Sequence, residues 1–312
     1  MKNKIINNLV VFLSLFSLVE LIINKELVFS NISYSLKLWI NSIIPSLFPF
    51  FVISDILINY NITSYIPRNI KNIFSYLFKT SDNVTSLFFL SMLSGFPSSG
   101  RNVRLMYDYK LISTDEANRF LMFSHFSNPL FILGTVAIFY LKDSKLGLVV
   151  LISHYIPNIL IAFFTRNCNY NVGSYKCKDI PSINKSFPII FSNAIKNAIS
   201  SLLMILGTLS CFLVISSFVL NILTIDSYSG AIVKGLLEIT MGLNSLCLLK
   251  IDNLYKVVIS SMFLSFGGFS IHMQILSFLA DTDISYKPFF ISRIYHSCLS
   301  GLIAYFLYIV FI

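Results

Sequence analysis

Polar and helix-breaking residues interrupt an apolar segment that reaches Leu93, where the sequence reads SGFPSSGRNVR over residues 94–104. Pro97 has no backbone N–H to donate, and Gly95 and Gly100 weaken a helix on either side of it, so a helix is predicted to break here. Serine hydroxyls and the free backbone N–H groups at the start of the next helix would together bind a small anion. The predicted substrate-binding residues of this segment are Ser94, Gly95, Pro97, Ser98, Ser99 and Arg101.

A later break of similar composition is predicted at residues 267–270, which read GGFS. Backbone groups without helix hydrogen bonds at membrane depth are tolerated only inside protein or along a water-filled cavity, so two such breaks predict a cavity between them. The candidate residues of this later segment are Gly267, Gly268, Ser270 and Gln274. The alternative interpretation makes residues 94–104 an ordinary loop at the membrane face, with Arg101 and Arg104 in the cytoplasm.

Four further polar residues within apolar segments are candidate substrate ligands, because burying a polar group in a membrane is costly. Glu238 is predicted to contact the substrate or a coupling ion, with Asn244 nearby; alternatively, it forms an ion pair with Lys234 one helical turn earlier. Ser127 and Asn128 precede a proline, a pattern that frees backbone carbonyls for binding or else kinks a helix for packing.

The composition indicates which elements must position these residues. Of the 312 residues, 55% are hydrophobic and 12% are charged, against about 25% charged in soluble domains, so the chain is predicted to be a polytopic membrane protein. Long apolar segments satisfy their own backbone as helices, and the fold class is therefore predicted to be all-α. The net charge of +9 fits basic loops on the cytoplasmic side and predicts no nucleic-acid partner.

Two pairs of similar segments indicate a duplication within the chain. Residues 49–57 (PFFVISDIL) resemble residues 211–219 (CFLVISSFV), and residues 89–113 resemble residues 263–285 in the same order. We predict a separate N-terminal transmembrane helix at 1–35, a first repeat at 36–166, a basic cytoplasmic loop at 167–186 and a second repeat at 187–312. Basic residues place the N-terminus and the loop in the cytoplasm, which inverts one repeat relative to the other. Inverted structural repeats with broken or re-entrant helices are typical of secondary transporters.

No catalytic motif is found in the sequence, which lacks a nucleophile elbow, a metalloprotease motif, a phosphate-binding loop and a dinucleotide fingerprint. We therefore predict no enzymatic activity, no metal and no cofactor. Two function classes remain, namely a carrier of a small, anionic metabolite and a membrane scaffold that transports nothing. The expected partners are the lipid bilayer, a small-molecule substrate, a proton or sodium ion that is coupled to transport, and a second copy of the chain.

Residues 94–141 resemble the YlbJ-type sporulation integral membrane proteins, which carry the Gate or nucleoside-recognition membrane domain. The shared pattern comprises the Ser-Gly-aromatic-Pro break at 94–97, the basic segment from Arg101 to Lys110, the acidic helix start at Glu116 and the Ser-Asn-Pro-Leu-Phe-Ile run at 127–132. The later segments SHYIPNIL and GLLEITMGLNSL also look like family segments. The chain departs from the family in being shorter and in carrying arginines where a lysine is usual.

The resemblance implies a fold related to the concentrative nucleoside transporters. It also implies a location in the mother-cell membrane around the forespore, a multi-pass cell membrane protein. The implied activity is movement of dipicolinic acid toward the developing spore, which supports formation of the spore cortex. A nucleoside-type carrier and a scaffold needed for assembly of the cortex or envelope are the alternatives.

Overall fold

The computed structural model describes residues 2–167, 186–223 and 225–312, and within these ranges the chain is helical without any β-strand. The α-helices of these ranges are α1 (Lys2–Ile23), α2 (Lys25–Leu38), α3 (Ile44–Asn59), α4 (Ile62–Tyr65), α5 (Arg68–Phe78), α6 (Asp82–Ser94), α7 (Ser98–Asp108), α8 (Thr114–Phe123), α9 (Ser144–Phe164), α10 (Phe187–Ile222), α11 (Ser227–Leu237), α12 (Ile239–Leu248), α13 (Asn253–Phe266), α14 (Gly268–Leu279) and α15 (Tyr286–Phe311). Two π-helices lie at Trp39–Ile43 and Phe131–Leu141. Most of the predicted cytoplasmic loop, residues 168–185, lies outside the described residues.

Five helical stretches of the described residues are long and apolar enough to cross a membrane. A span needs about 20 residues, because each adds about 1.5 Å to a helix and the hydrocarbon core is about 30 Å thick. The five stretches are Lys25–Asn59, Ser144–Asn167, Phe187–Asn221, Asn253–Leu279 and Tyr286–Phe311. They confirm the prediction of an all-helical, multi-span protein.

The first of these stretches crosses the boundary that was predicted between an N-terminal helix and the first repeat. α1 ends at Ile23, and a continuous helical stretch then runs from Lys25 through the π-helix to Asn59. The predicted boundary after residue 35 therefore falls inside a helix. Residues 25–37 contain no glycine or proline that would end a helix.

Four breaks interrupt the remaining apolar helices. Break 1, residues 95–97, separates α6 from α7; break 2, residues 124–128, follows α8. Break 3 is Glu238, an extended residue between α11 and α12, and break 4 is Gly267, between α13 and α14. Breaks 1, 2 and 4 lie where the sequence predicts them. Break 3 was not expected, because residues 230–249 read as one apolar segment.

The helices pack so that the breaks lie between the long spans. α3 packs against α10, while α9, α13 and α15 pack against one another. Polar side chains join α2 to α10, since Asn31 Nδ2 donates to Ser217 Oγ at 2.8 Å and Ser35 Oγ lies 2.7 Å from Ser210 Oγ. The broken helices connect these groups, because α14 contacts both α7 and α10, and α12 contacts the π-helix at Phe131–Leu141.

Apolar residues at helical spacing within residues 61–83, with basic residues on other positions, predict an amphipathic helix at the membrane surface, and α5 (Arg68–Phe78) lies there. Its Phe74 packs against Phe78 and Phe88 with ring centroids 5.2 Å apart, while Ile73 and Tyr76 are exposed. A short helix with exposed apolar side chains and basic residues on its other positions is typical of a segment that lies in the membrane interface.

Candidate functional site

Residues from breaks 1, 2 and 3, and from α14, the helix that follows break 4, line one cavity of about 620 Å³, including its open mouth. The polar side chains that the breaks and the helices after them contribute to its wall are Ser127, Asn128, Glu238, Thr240, Ser270 and Gln274. Leu47, from α3, and Ile205 and Leu209, from α10, form an apolar wall. An apolar pocket with a few converging polar groups is the usual form of a small-molecule site.

Breaks 1 and 2 are joined directly through their backbones. The amide of Phe96 donates to the carbonyl oxygen of Phe126 at 2.6 Å. Gly95 has a φ of +75°, and a Cβ there would lie only 2.4 Å from the backbone nitrogen of Asn128. Glycine is therefore needed at position 95 both for its conformation and for the close approach of the two breaks.

Break 3 is the turn of a tight helical hairpin. A Cβ on Gly242 of α12 would lie 2.1 Å from the Cα of Gly235 of α11, so the two helices touch through their glycines. Glu238 lies at the turn, where its Oε2 accepts hydrogen bonds from the amide of Met241 at 2.9 Å and from the hydroxyl of Thr240. Both bonds use Oε2, so Oε1 stays available to a ligand. The carboxylate thus caps α12 in place of the ion pair with Lys234 that was the alternative interpretation.

Glu238 is the one charged residue that lines the cavity among the described residues. Three helices, α7, α12 and α14, begin at the cavity, and a helix N-terminus carries a partial positive charge. Glu238 caps α12, whereas α7 and α14 have no side-chain cap. The cavity therefore combines one fixed carboxylate with two uncapped helix N-termini.

Two polar atoms at the cavity are ready to bind a ligand. The side chains of Ser127 and Gln274 are 1% and 2% exposed, and Ser127 Oγ and Gln274 Oε1 have no hydrogen-bond partner among the described residues. A buried polar atom without a partner costs roughly 1–3 kcal/mol, which a ligand that bonds to it would recover. These two atoms favour a solute with hydrogen-bonding groups.

Six of the residues predicted from the sequence line the cavity, namely Pro97, Ser127, Asn128, Glu238, Ser270 and Gln274. Gly95, Gly267 and Gly268 shape the breaks around it with φ angles of +75°, +96° and +59°. The structure does not bring the other five to the cavity wall. Ser94 and Ser98 bond to each other across break 1, Ser99 is buried on α7, and Asn244 is half-buried on α12.

Arg101, the predicted source of attraction for an anion, has a different partner. Its guanidinium forms a buried ion pair with Asp55 of α3 at 2.7 Å, and its Nε donates to Ser201 Oγ of α10 at 2.9 Å. Asn197 Nδ2 also donates to Asp55, at 3.1 Å. The arginine thus joins α7 to both long helices, and its charge is compensated inside the protein.

Sequence reasoning missed the helix break at Glu238, although a signal for it exists. Gly235 and Gly242 flank the glutamate by three and four residues in an otherwise apolar segment. Glycines at that spacing let two short helices pack closely on either side of a turn. Phe96, whose ring lines the cavity beside Pro97, was also not expected.

Comparison with known proteins places the first two breaks in a known domain. Residues 40–143 match the Gate family model, whose description is nucleoside recognition. The chain is similar to the sporulation integral membrane protein YlbJ of Bacillus subtilis (strain 168), with 26% identity over 327 aligned residues that cover 94% of this chain and 80% of that protein. No solved structure matches the chain. These matches, together with the apolar helices, confirm the resemblance seen at residues 94–141: the chain is a multi-pass integral membrane protein that is similar to a sporulation integral membrane protein, and its residues 40–143 match the Gate model.

Proposed function

We propose that this protein acts in sporulation as a carrier that moves a small polar metabolite across the mother-cell membrane toward the forespore. The observation that carries the proposal is the single cavity where breaks 1, 2 and 3 meet α14, the helix that follows break 4. Interrupted helices at membrane depth are where secondary transporters bind their substrates. The relationship to a sporulation protein supports the biological setting.

An inverted repeat would let such a cavity open to either side of the membrane. The element order supports one, because the same four elements occur twice. The first half has the long span that ends with α3, the hairpin α6–α7 around break 1, the broken span from α8 through the second π-helix, and the unbroken span α9. The second half has α10, the hairpin α11–α12 around break 3, the broken span α13–α14 and the unbroken span α15. The contacts between the two halves show the same symmetry: α7 of the first hairpin contacts α14 of the second half, and α12 of the second hairpin contacts the π-helix at Phe131–Leu141 of the first half. This order pairs break 1 with break 3 and break 2 with break 4, in place of the pairing of residues 89–113 with 263–285. Each half then crosses the membrane three times, which inverts the second half.

Dipicolinate is the first candidate substrate. The resemblance implies it, and the uncapped N-termini of α7 and α14 would each accept one of its two carboxylates. Glu238 repels a dianion, so dipicolinate would enter together with a compensating cation.

A nucleoside-type solute is the second candidate, and Glu238 is the observation that favours it. A carboxylate with a free oxygen, an amide on Gln274 and a hydroxyl on Ser127 suit the hydroxyl and amide groups of an uncharged solute. The description of the matched domain points in the same direction.

The substitution Glu238→Gln separates the two candidates in purified protein reconstituted into liposomes. Glutamine keeps an oxygen for Thr240 and Met241 but removes the negative charge. For dipicolinate we expect KM to fall about five- to thirtyfold, because roughly 1–2 kcal/mol of repulsion is lost. For uridine we expect uptake to fall about tenfold or more, because a hydrogen bond to a charged group contributes roughly 1.5–3 kcal/mol.

Labelled dipicolinate and labelled uridine are compared side by side with liposomes that lack the protein as the control. Uptake of neither compound, with the protein folded, would reject the carrier function and favour the non-transporting scaffold. Unchanged kinetics in Glu238→Gln would show that the cavity is not the binding site.

A further inference from the structure

The four histidines of the chain lie together behind the cavity, although they come from four separate elements. His125 belongs to break 2, His154 to α9, His272 to α14 and His296 to α15. The ring of His125 lies 6.2 Å from that of His154 and 6.1 Å from that of His296, and the rings of His154 and His296 stack at 4.9 Å. All four side chains are buried.

Hydrogen bonds fix two of these histidines in the neutral form. His154 Nε2 accepts from the amide of Ser127 at 2.8 Å, so its proton is on Nδ1, which donates to Ser265 Oγ at 2.9 Å. His296 Nδ1 faces Arg293 Nη1 at 2.7 Å, and because arginine only donates, this nitrogen must accept. A proton added to either ring would displace a donor that already bonds to it.

His125 is the histidine that can take a proton without losing a bond. Its Nε2 donates to the carbonyl oxygen of Leu264 at 3.2 Å, and its Nδ1 is buried without a partner among the described residues. His272 differs, since its Nε2 donates to the carbonyl of Phe266 at 3.0 Å while its Nδ1 lies 2.6 Å from the hydroxyl of Tyr286. Protonation of His272 would require that hydroxyl to reverse its hydrogen bond.

His125 is also in contact with three of the four breaks. It belongs to break 2, its ring stacks on Phe96 of break 1 at 4.6 Å, and a Cβ on Gly267 of break 4 would lie 2.9 Å from it. Phe96 itself lines the cavity and covers the ring. Movement of the Phe96 ring away from His125 would expose the imidazole to the cavity.

The buried positive charge of Arg293 makes protonation of His125 depend on the presence of an anion. The titratable or charged groups around the ring are His154 on α9, His272 on α14, and His296 and Arg293 on α15. The neighbours of the ring on break 1 and α13, Phe96 and Leu264, carry no charge. Arg293 is fully buried, and no carboxylate of the described residues pairs with it. A second positive charge beside it would be costly unless an anion entered the adjacent cavity.

We propose that His125 is the proton-binding residue that couples substrate movement to protons, with its Nδ1 taking one proton as an anion enters the cavity. This inference rests on the proposed carriage of an anion. The proton comes from the solution on the side to which the cavity is open and leaves with the anion on the other side. Proton and anion each raise the affinity for the other, as linkage requires.

Histidine-selective isotope labelling and NMR test the inference without any transport, because the chain has only four histidines to resolve. We expect neutral His154 with its proton on Nδ1 and neutral His296 with its proton on Nε2. Addition of dipicolinate at pH 6 should convert the signal assigned to His125, by its loss in His125→Gln, to the doubly protonated form. A proton on His154 or His296 first, or no change at His125 down to pH 5, would overturn the proposal.

Uptake of dipicolinate into liposomes with an alkaline interior provides the second readout. The dianion and one proton carry a net charge of −1, so with the membrane potential held at zero by a permeant ion, one pH unit should give about tenfold accumulation. His125→Gln keeps a donor for Leu264 but should lose the response to the pH gradient. The matched variant His154→Gln should keep the ratio of protons to dipicolinate even where its rate falls.

The possible failures are distinguishable. Dipicolinate exchange that ignores the pH gradient in the unmodified protein would overturn coupling through His125 while the carrier function stands. Absence of both exchange and any dipicolinate-dependent change at His125 would overturn the carrier function and the inference together. Equal loss of the proton ratio in His125→Gln and His154→Gln would assign His125 a structural role only.

Discussion

Substitution of Gly95 by alanine is expected to reduce the initial rate of substrate uptake at least about tenfold. The added Cβ would lie 2.4 Å from the backbone nitrogen of Asn128, and the φ of +75° is unfavourable for any residue with a Cβ. Overpacking costs roughly 1–3 kcal/mol, and the breaks can avoid it only by moving apart. The measurement is uptake of labelled dipicolinate and uridine into liposomes, with the folded fraction checked by size-exclusion chromatography.

Gly207→Ala is the matched control for this substitution. Gly207 lies in α10, and a Cβ there would meet nothing within 4 Å. Alanine is the better helix former by roughly 1 kcal/mol, so this variant should keep its transport and gain slightly in stability. Equal transport by Gly95→Ala and Gly207→Ala would contradict the role of break 1.

Loss of the Asp55 carboxylate is expected to destabilise the protein by about 3–5 kcal/mol, because Asp55→Ala leaves the buried charge of Arg101 without its partner. The two side chains are only 1% and 8% exposed, and their ion pair joins α3 to α7. Thermal or denaturant unfolding in a mild detergent measures the change.

A double-mutant cycle distinguishes the ion pair from simple loss of packing. Replacing both partners by apolar residues of similar size, in Asp55→Leu with Arg101→Met, should cost much less than the sum of the single changes. Asp108→Ala is the control, since it removes an exposed ion pair with Arg104 and should cost less than about 1 kcal/mol. Strictly additive effects of the Asp55 and Arg101 changes would show that the two residues do not depend on each other.

The local features of this fold are predictable from the sequence, and the predicted apolar segments show it. Apolar runs of the sequence at 146–165, 187–223 and 288–312 predict membrane spans, and they correspond within two residues to α9 (with its final turn to Asn167), α10 and α15. Breaks 1, 2 and 4 were predicted because glycine and proline act on the backbone beside them. Break 3 was missed because a glutamate does not by itself disfavour helical backbone dihedrals. The flanking glycines contribute through the close packing of α11 against α12, which the sequence does not show.

The sequence by itself determined that the chain is a multi-span helical protein, where most of its helices break, and which polar residues are too costly to face lipid. Only the tertiary structure decided how those polar residues are used. It placed Glu238 in the cavity, paired Arg101 with Asp55, 46 residues earlier in the chain, and brought together four histidines from four elements. The physical reason is that a break depends on the dihedral preferences of a few adjacent residues. The partner of a buried charge depends instead on which helix faces meet across the whole fold.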